Sequence, residues 1–80
     1  MIKTIEFEGK TFEYDEEMAT DYEVIKGVVC ATSNPAGFFK SIELVFVGKD
    51  AEYARELGND LGKLGELLTL VIETSAGKNS

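Results

Sequence analysis

Polar and apolar residues alternate along Lys3-Thr4-Ile5-Glu6-Phe7 and again along Thr11-Phe12-Glu13-Tyr14, the period of two that a half-buried strand requires. Glu8-Gly9 lies between them, where a two-residue turn with positive φ belongs, and Gly9 supplies that freedom. The pattern predicts a hairpin over about residues 2–14, with Phe7 facing Lys10, Ile5 facing Phe12 and Lys3 facing Tyr14. Ile5, Phe7, Phe12 and Tyr14 then share one face, and Glu6, Glu8, Thr11 and Glu13 the other. A lone hairpin is marginal in water, so the remainder of the chain has to cover its apolar face.

The period changes after Tyr14. A helix over about residues 16–32 carries Met18, Tyr22, Ile25, Val28 and Val29 at helical spacing. Two starts compete: Asp15 capping a helix from Glu16, or Thr20-Asp21-Tyr22-Glu23 as a capping box. Ser33-Asn34-Pro35 punctuates the chain, with Asn34 as N-cap and Pro35 at the first helical position. The next helix, about 35–47, aligns Phe38, Phe39, Ile42, Val45 and Phe46 on one broad stripe and stops at Gly48. Its β-branched and aromatic content would also suit a strand from Ser41 to Val47, but the 3.6-residue spacing favours the helix.

Leu57, Leu61, Leu64, Leu68 and Val71 alternate spacings of four and three, a seam too short to establish a coiled coil and equally proper to a core-facing helix. Gly58, Gly62 and Gly65 interrupt it. Either Gly58-Asn59-Asp60 divides the segment into helices of about 50–58 and 60–75, with Asn59 or Asp60 as cap, or the glycines admit another helix at close range. The break is the favoured reading. Residues 77–80 form a polar tail. The expectation is an α+β fold: an N-terminal β-hairpin followed by three to four α-helices packed as a small bundle, in a single domain over residues 1–76.

Composition narrows the function. In 80 residues, 15 acids against 8 bases leave a net charge of -7, which disfavours nucleic acid and anionic membranes as partners. Eight acids and two bases fall in residues 1–23, so net -6 of the -7 sits on the hairpin and the first helix start. This is either a solubilising face or a guide for a basic partner. No apolar run is longer than four residues, as in Val28 to Ala31 and Leu44 to Val47. With no apolar leader at the N-terminus either, a soluble cytoplasmic protein is expected.

There is no His, and a lone Cys30 can form neither an intramolecular bridge nor a zinc site. Cys30, among Val28, Val29 and Ala31, reads as a small core residue. Asp15-Glu16-Glu17 reads as a helix start complementing the macrodipole. No phosphate loop, EF-hand spacing or nucleophile elbow is present, so no catalytic residue, cofactor or metal is expected and an enzyme is disfavoured.

The apolar surplus points elsewhere. A chain this short buries only about 60–65% of its unfolded surface, and small domains often complete their stability by association. Residues 35–47 are apolar around most of the helix circumference, as in a helix buried all round or finished by another chain. Phe38, Phe39, Ile42, Val45 and Phe46, with Leu57, Leu61, Leu64 and Leu68, are therefore the candidate partner-binding residues, and a homo-oligomer is expected.

The order of features, "EFEGKTFEYD", "ATDYEVIKGVV", "NPAGFFKSIELVFVG" and the closing "LGNDLGKLGELLTLVIETSAGKNS", resembles the short tail assembly chaperones of long-tailed bacteriophages and prophages. The resemblance implies a non-catalytic protein of the bacterial host cytoplasm. Such a protein binds and solubilises the tape measure protein, helps recruit tail tube subunits, and is absent from the finished virion. Two other classes remain: a small acidic inhibitor or nucleic-acid mimic that blocks a basic partner, and a structural subunit retained in a particle.

Overall fold

The alternation in the first fifteen residues becomes an antiparallel pair, β1 (Ile2–Phe7) and β2 (Lys10–Asp15). Phe7 pairs with Lys10, Ile5 with Phe12 and Lys3 with Tyr14, the expected register. Glu8 and Gly9 take φ of 53° and 76°, both left-handed, as a two-residue turn matched to strand twist requires. The computed structural model describes residues 1–77. Five helices follow the hairpin: α1 (Glu16–Ala19), α2 (Tyr22–Val29), α3 (Pro35–Val45), α4 (Asp50–Glu56) and α5 (Leu61–Gly77). The fold is α+β, as expected. Its radius of gyration is 11.5 Å, close to the roughly 12 Å of a compact chain of this length.

Both candidate starts for the first helix are used, in a way the capping-box pattern does not describe. Asp15 caps α1, accepting the Glu17 amide at 2.9 Å. The single helix expected over 16–32 then divides, because Thr20 turns its hydroxyl back to the carbonyls of Glu16 and Glu17 and closes α1. Asp21, not Thr20, caps α2, accepting the amides of Glu23 and Val24 at 3.1 and 3.3 Å. α2 ends at Val29, short of the expected residue 32.

Asn34 caps α3 through the Gly37 amide, with Pro35 in the first turn. α3 stops at Val45 rather than 47. Its end is a Schellman turn in which the Gly48 amide reaches the Glu43 carbonyl at 2.9 Å. The left-handed position falls on Val47 (φ 56°), a costly place for a β-branched side chain. α4 ends alike: Gly58 and Asn59 have φ of 79° and 57°, and the Asn59 amide bonds the Ala54 carbonyl at 2.7 Å. Asp60 then opens α5, accepting the amides of Gly62 and Lys63. The break favoured at Gly58-Asn59-Asp60 is present. The polar tail expected from Gly77 lies, beyond that residue, outside the described residues.

Helices α2 and α3 make the closest helix pair. Gly27 is buried at their contact, where an added Cβ would run into the Ser41 hydroxyl and lie 2.7 Å from the Gly37 carbonyl oxygen. The Ser41 hydroxyl sits between the Val24 carbonyl, at 2.9 Å across the helix pair, and the Gly37 carbonyl at 3.0 Å. Small residues and one hydroxyl thus set the helix spacing.

The core forms where this layer meets the apolar face of the hairpin. Phe12, Ile42, Val45, Phe46, Leu67, Leu68 and Val71 are wholly buried. Each large apolar side chain so buried stabilises by about 1.5–3 kcal/mol before chain entropy is set against it. The Tyr53 ring stands edge-on to both Phe12 and Phe46, at centroid distances of 4.8 and 5.5 Å. Two ion pairs fasten the hairpin to the later helices, Lys49 to Glu13 at 2.6 Å and Lys63 to Glu8 at 2.8 Å.

Candidate functional site

Of the nine residues expected to face a partner, Ile42, Val45, Phe46, Leu57, Leu64 and Leu68 lie in the protein's own core. The stripe on α3 is apolar because it enters the same core as residues of the hairpin and α5. A partner reaching those six side chains would have to open the fold. Phe38 is partly buried against the core, its ring edge-on to Phe39 at 5.7 Å. Phe39 and Leu61 are 50% and 51% exposed. Leu61 is exposed because it is the first residue of α5, one turn before the buried stretch that starts at Leu64, and Leu67 joins Leu64, Leu68 and Val71 in the core. Of the nine, then, Phe38, Phe39 and Leu61 are the ones reachable from outside.

Other apolar side chains join them at the surface. Tyr22 and Val29, two turns apart on α2, are 73% and 77% exposed, and the Lys26 ammonium lies 5.9 Å from the Tyr22 ring centre. Leu44 and Val47 are exposed at the C-terminal end of α3. Cys30, expected in the core, is half-buried at the end of α2. It lines a cleft of about 460 Å³ between α2 and α3 together with Lys26, Ser33, Asn34 and Lys40.

A second groove, of about 620 Å³, brings distant segments together. Phe7 of β1, Val28 of α2 and Phe38 of α3 line it, with Gly62, Gly65, Thr69 and Leu70 of α5. Phe7, Val28 and Phe38 are each partly buried, so each still offers apolar surface. Gly62, Gly65 and Thr69 carry little or no side chain, which leaves the α5 backbone open to approach. Glu66 and Glu73 line the same groove, two turns apart. Neither forms an ion pair among the described residues. Lys63, three residues before Glu66, is engaged by Glu8, and the hydrogen bond it donates to that carboxylate holds the ammonium above its ordinary pKa.

Sequence reasoning named Phe38 but did not find this groove, whose lining comes from four segments. The signal it had was the pair Gly62 and Gly65 inside a helix. An added Cβ at Gly65 would meet nothing within 4 Å.

The acidic N-terminal segment is arranged as a helix start. Asp15 caps α1 and Glu16 lies 3.8 Å from Lys3. Among the described residues no three His, Cys, Asp or Glu side chains converge to hold a metal ion. No helix among them is long and apolar enough to cross a membrane. No family model, curated protein or solved structure matches the chain.

Proposed function

We propose that this chain is a short tail assembly chaperone of a long-tailed bacteriophage or prophage. It acts without catalysis in the cytoplasm of the bacterial host. It binds apolar helical stretches of the tape measure protein and keeps them soluble until tail tube subunits assemble around them. The observation that carries this reading is the apolar surface left after the core is complete: Phe39, Leu61, Tyr22 and Val29 are all at least half exposed on a chain of 80 residues. The net charge of -7 keeps loaded complexes apart. Many weak copies along one long client would gain by avidity what a single small contact lacks.

Co-expression with a tape measure protein from a long-tailed phage tests the reading. The client should become soluble with the wild-type chain and stay insoluble with Phe39→Asp/Leu61→Asp, whose side chains lie outside the core. Client solubility indifferent to the chain would remove the proposal.

A second reading, a small acidic inhibitor or nucleic-acid mimic, draws on the net -6 gathered in residues 1–23. Glu8 and Glu13 in that segment are already engaged by Lys63 and Lys49. Salt separates the two: a mimic's binding would fall steeply as salt rises, whereas apolar client capture would persist.

A further inference from the structure

We infer that the groove between the hairpin, α2–α3 and α5 is the docking surface for a single amphipathic helix of a partner, with lysine or arginine flanking its apolar stripe. The inference rests on the client-binding reading and adds a groove to the exposed side chains on which that reading stands.

Three observations select this occupant. Phe7, Val28 and Phe38 come from three elements and are each left partly uncovered at one place. An apolar stripe laid along them would finish their burial, the mode by which helices enter grooves. Second, Gly65 lies inside the 17-residue α5, where glycine weakens a helix, yet nothing in the fold stands within 4 Å of where its Cβ would be. Internal packing does not call for glycine here. Close approach of a backbone from outside does.

Charge then decides between a foreign helix and a second copy of this chain. Glu66 and Glu73 line the groove and neither forms an ion pair among the described residues, Glu66 attracting from a distance the Lys63 ammonium that Glu8 already holds. Two copies meeting through this face would bring four carboxylates together on chains of net charge -7. A helix with basic flanks neutralises the same groups.

The test uses the full chain and two synthetic helical peptides of about 18 residues, long enough to span the groove. They share one leucine stripe; one carries lysines on its flanks and the other glutamates. The wild-type chain should bind the lysine peptide in preference to the glutamate peptide. Gly65→Gln, whose Cβ has open space and whose side chain extends into the groove, should weaken lysine-peptide binding at least about tenfold while the far-ultraviolet circular dichroism is unchanged. Glu73→Lys should weaken the lysine peptide and strengthen the glutamate peptide. If Gly65→Gln binds the lysine peptide as the wild type does, the groove is not the site, and client binding by another surface survives. If the wild type binds neither peptide, the groove inference falls, and the client-binding reading is decided by the co-expression test alone. A wild-type dimer dissociated by Gly65→Gln in sedimentation would assign the groove to a second copy and overturn the inference.

Discussion

The Tyr53 hydroxyl accepts the amide proton of Glu13 at 2.9 Å, across 40 residues of sequence. By the alternation of an antiparallel pair closed at Phe7 and Lys10, that amide points away from β1, so α4 supplies a partner the hairpin cannot provide. The same ring separates Phe12 from Phe46. Tyr53 therefore does two jobs that substitution can part. Tyr53→Phe keeps the packing and leaves the amide short of a partner, at a loss of about 1 kcal/mol. Tyr53→Ala also opens a cavity and should lose about 3–5 kcal/mol. Urea unfolding followed by circular dichroism measures both, and equal losses would mean that packing contributes nothing beyond the hydrogen bond.

Two helical glycines should respond to alanine with opposite signs. At Gly27 the new methyl meets the Ser41 hydroxyl and a backbone oxygen, so α2 and α3 must separate. Gly27→Ala should destabilise by about 1–3 kcal/mol despite its better helix propensity. At Gly65 there is open space, and Gly65→Ala should stabilise by about 0.5–1 kcal/mol. Thermal melts of the two variants against the wild type decide the signs.

Buried serines make a similar contrast. Ser41 is bonded across the helix pair, and Ser41→Ala should lose about 1 kcal/mol. Ser75, 1% exposed, has no hydrogen-bond partner for its hydroxyl among the described residues. Ser75→Ala should therefore be neutral or stabilising by about 1 kcal/mol, because it removes a buried polar group at little loss of volume. A destabilised Ser75→Ala in the same unfolding measurements would contradict this account.

Alkaline pH should loosen the hairpin from the helices. The hydrogen bonds that Lys49 and Lys63 donate to the carboxylates of Glu13 and Glu8, reinforced by Coulomb attraction, raise the pKa of both lysines above the ordinary 10.5. A group raised in the folded state stabilises fully below its unfolded value and loses that contribution as pH climbs through the folded one. The urea midpoint should thus fall once pH passes about 10.5, and the decline should be shallower in Lys49→Met/Lys63→Met. Identical slopes above that pH would show that neither ion pair contributes.

The legible parts of this fold are those where one local signal suffices or two agree. Alternation and Glu8-Gly9 both specify the hairpin register, and Asn34-Pro35 and Gly58-Asn59-Asp60 each mark a helix boundary. What composition could not reveal was direction. A helix apolar on most sides does not say which side is covered, so Ile42, Val45 and Phe46 read as partner-facing when they form the core. Leu61 has the spacing of the seam but opens α5, and spacing alone does not say that the first turn of a helix lies beyond the elements it packs on. The groove was the least legible feature, since Phe7, Val28, Phe38 and Gly65 become neighbours only after α5 returns past the hairpin.

That return has a consequence during translation. Phe12 and Tyr14 leave the ribosome well before the residues that cover them, since the Tyr53 ring and Leu67, Leu68 and Val71 lie about 40 to 60 residues later in the chain. At ordinary elongation rates of about 5–20 residues per second the strands wait some seconds with their greasy side bare. The eight carboxylates of residues 1–23 are well placed to keep such chains from sticking to each other while they wait.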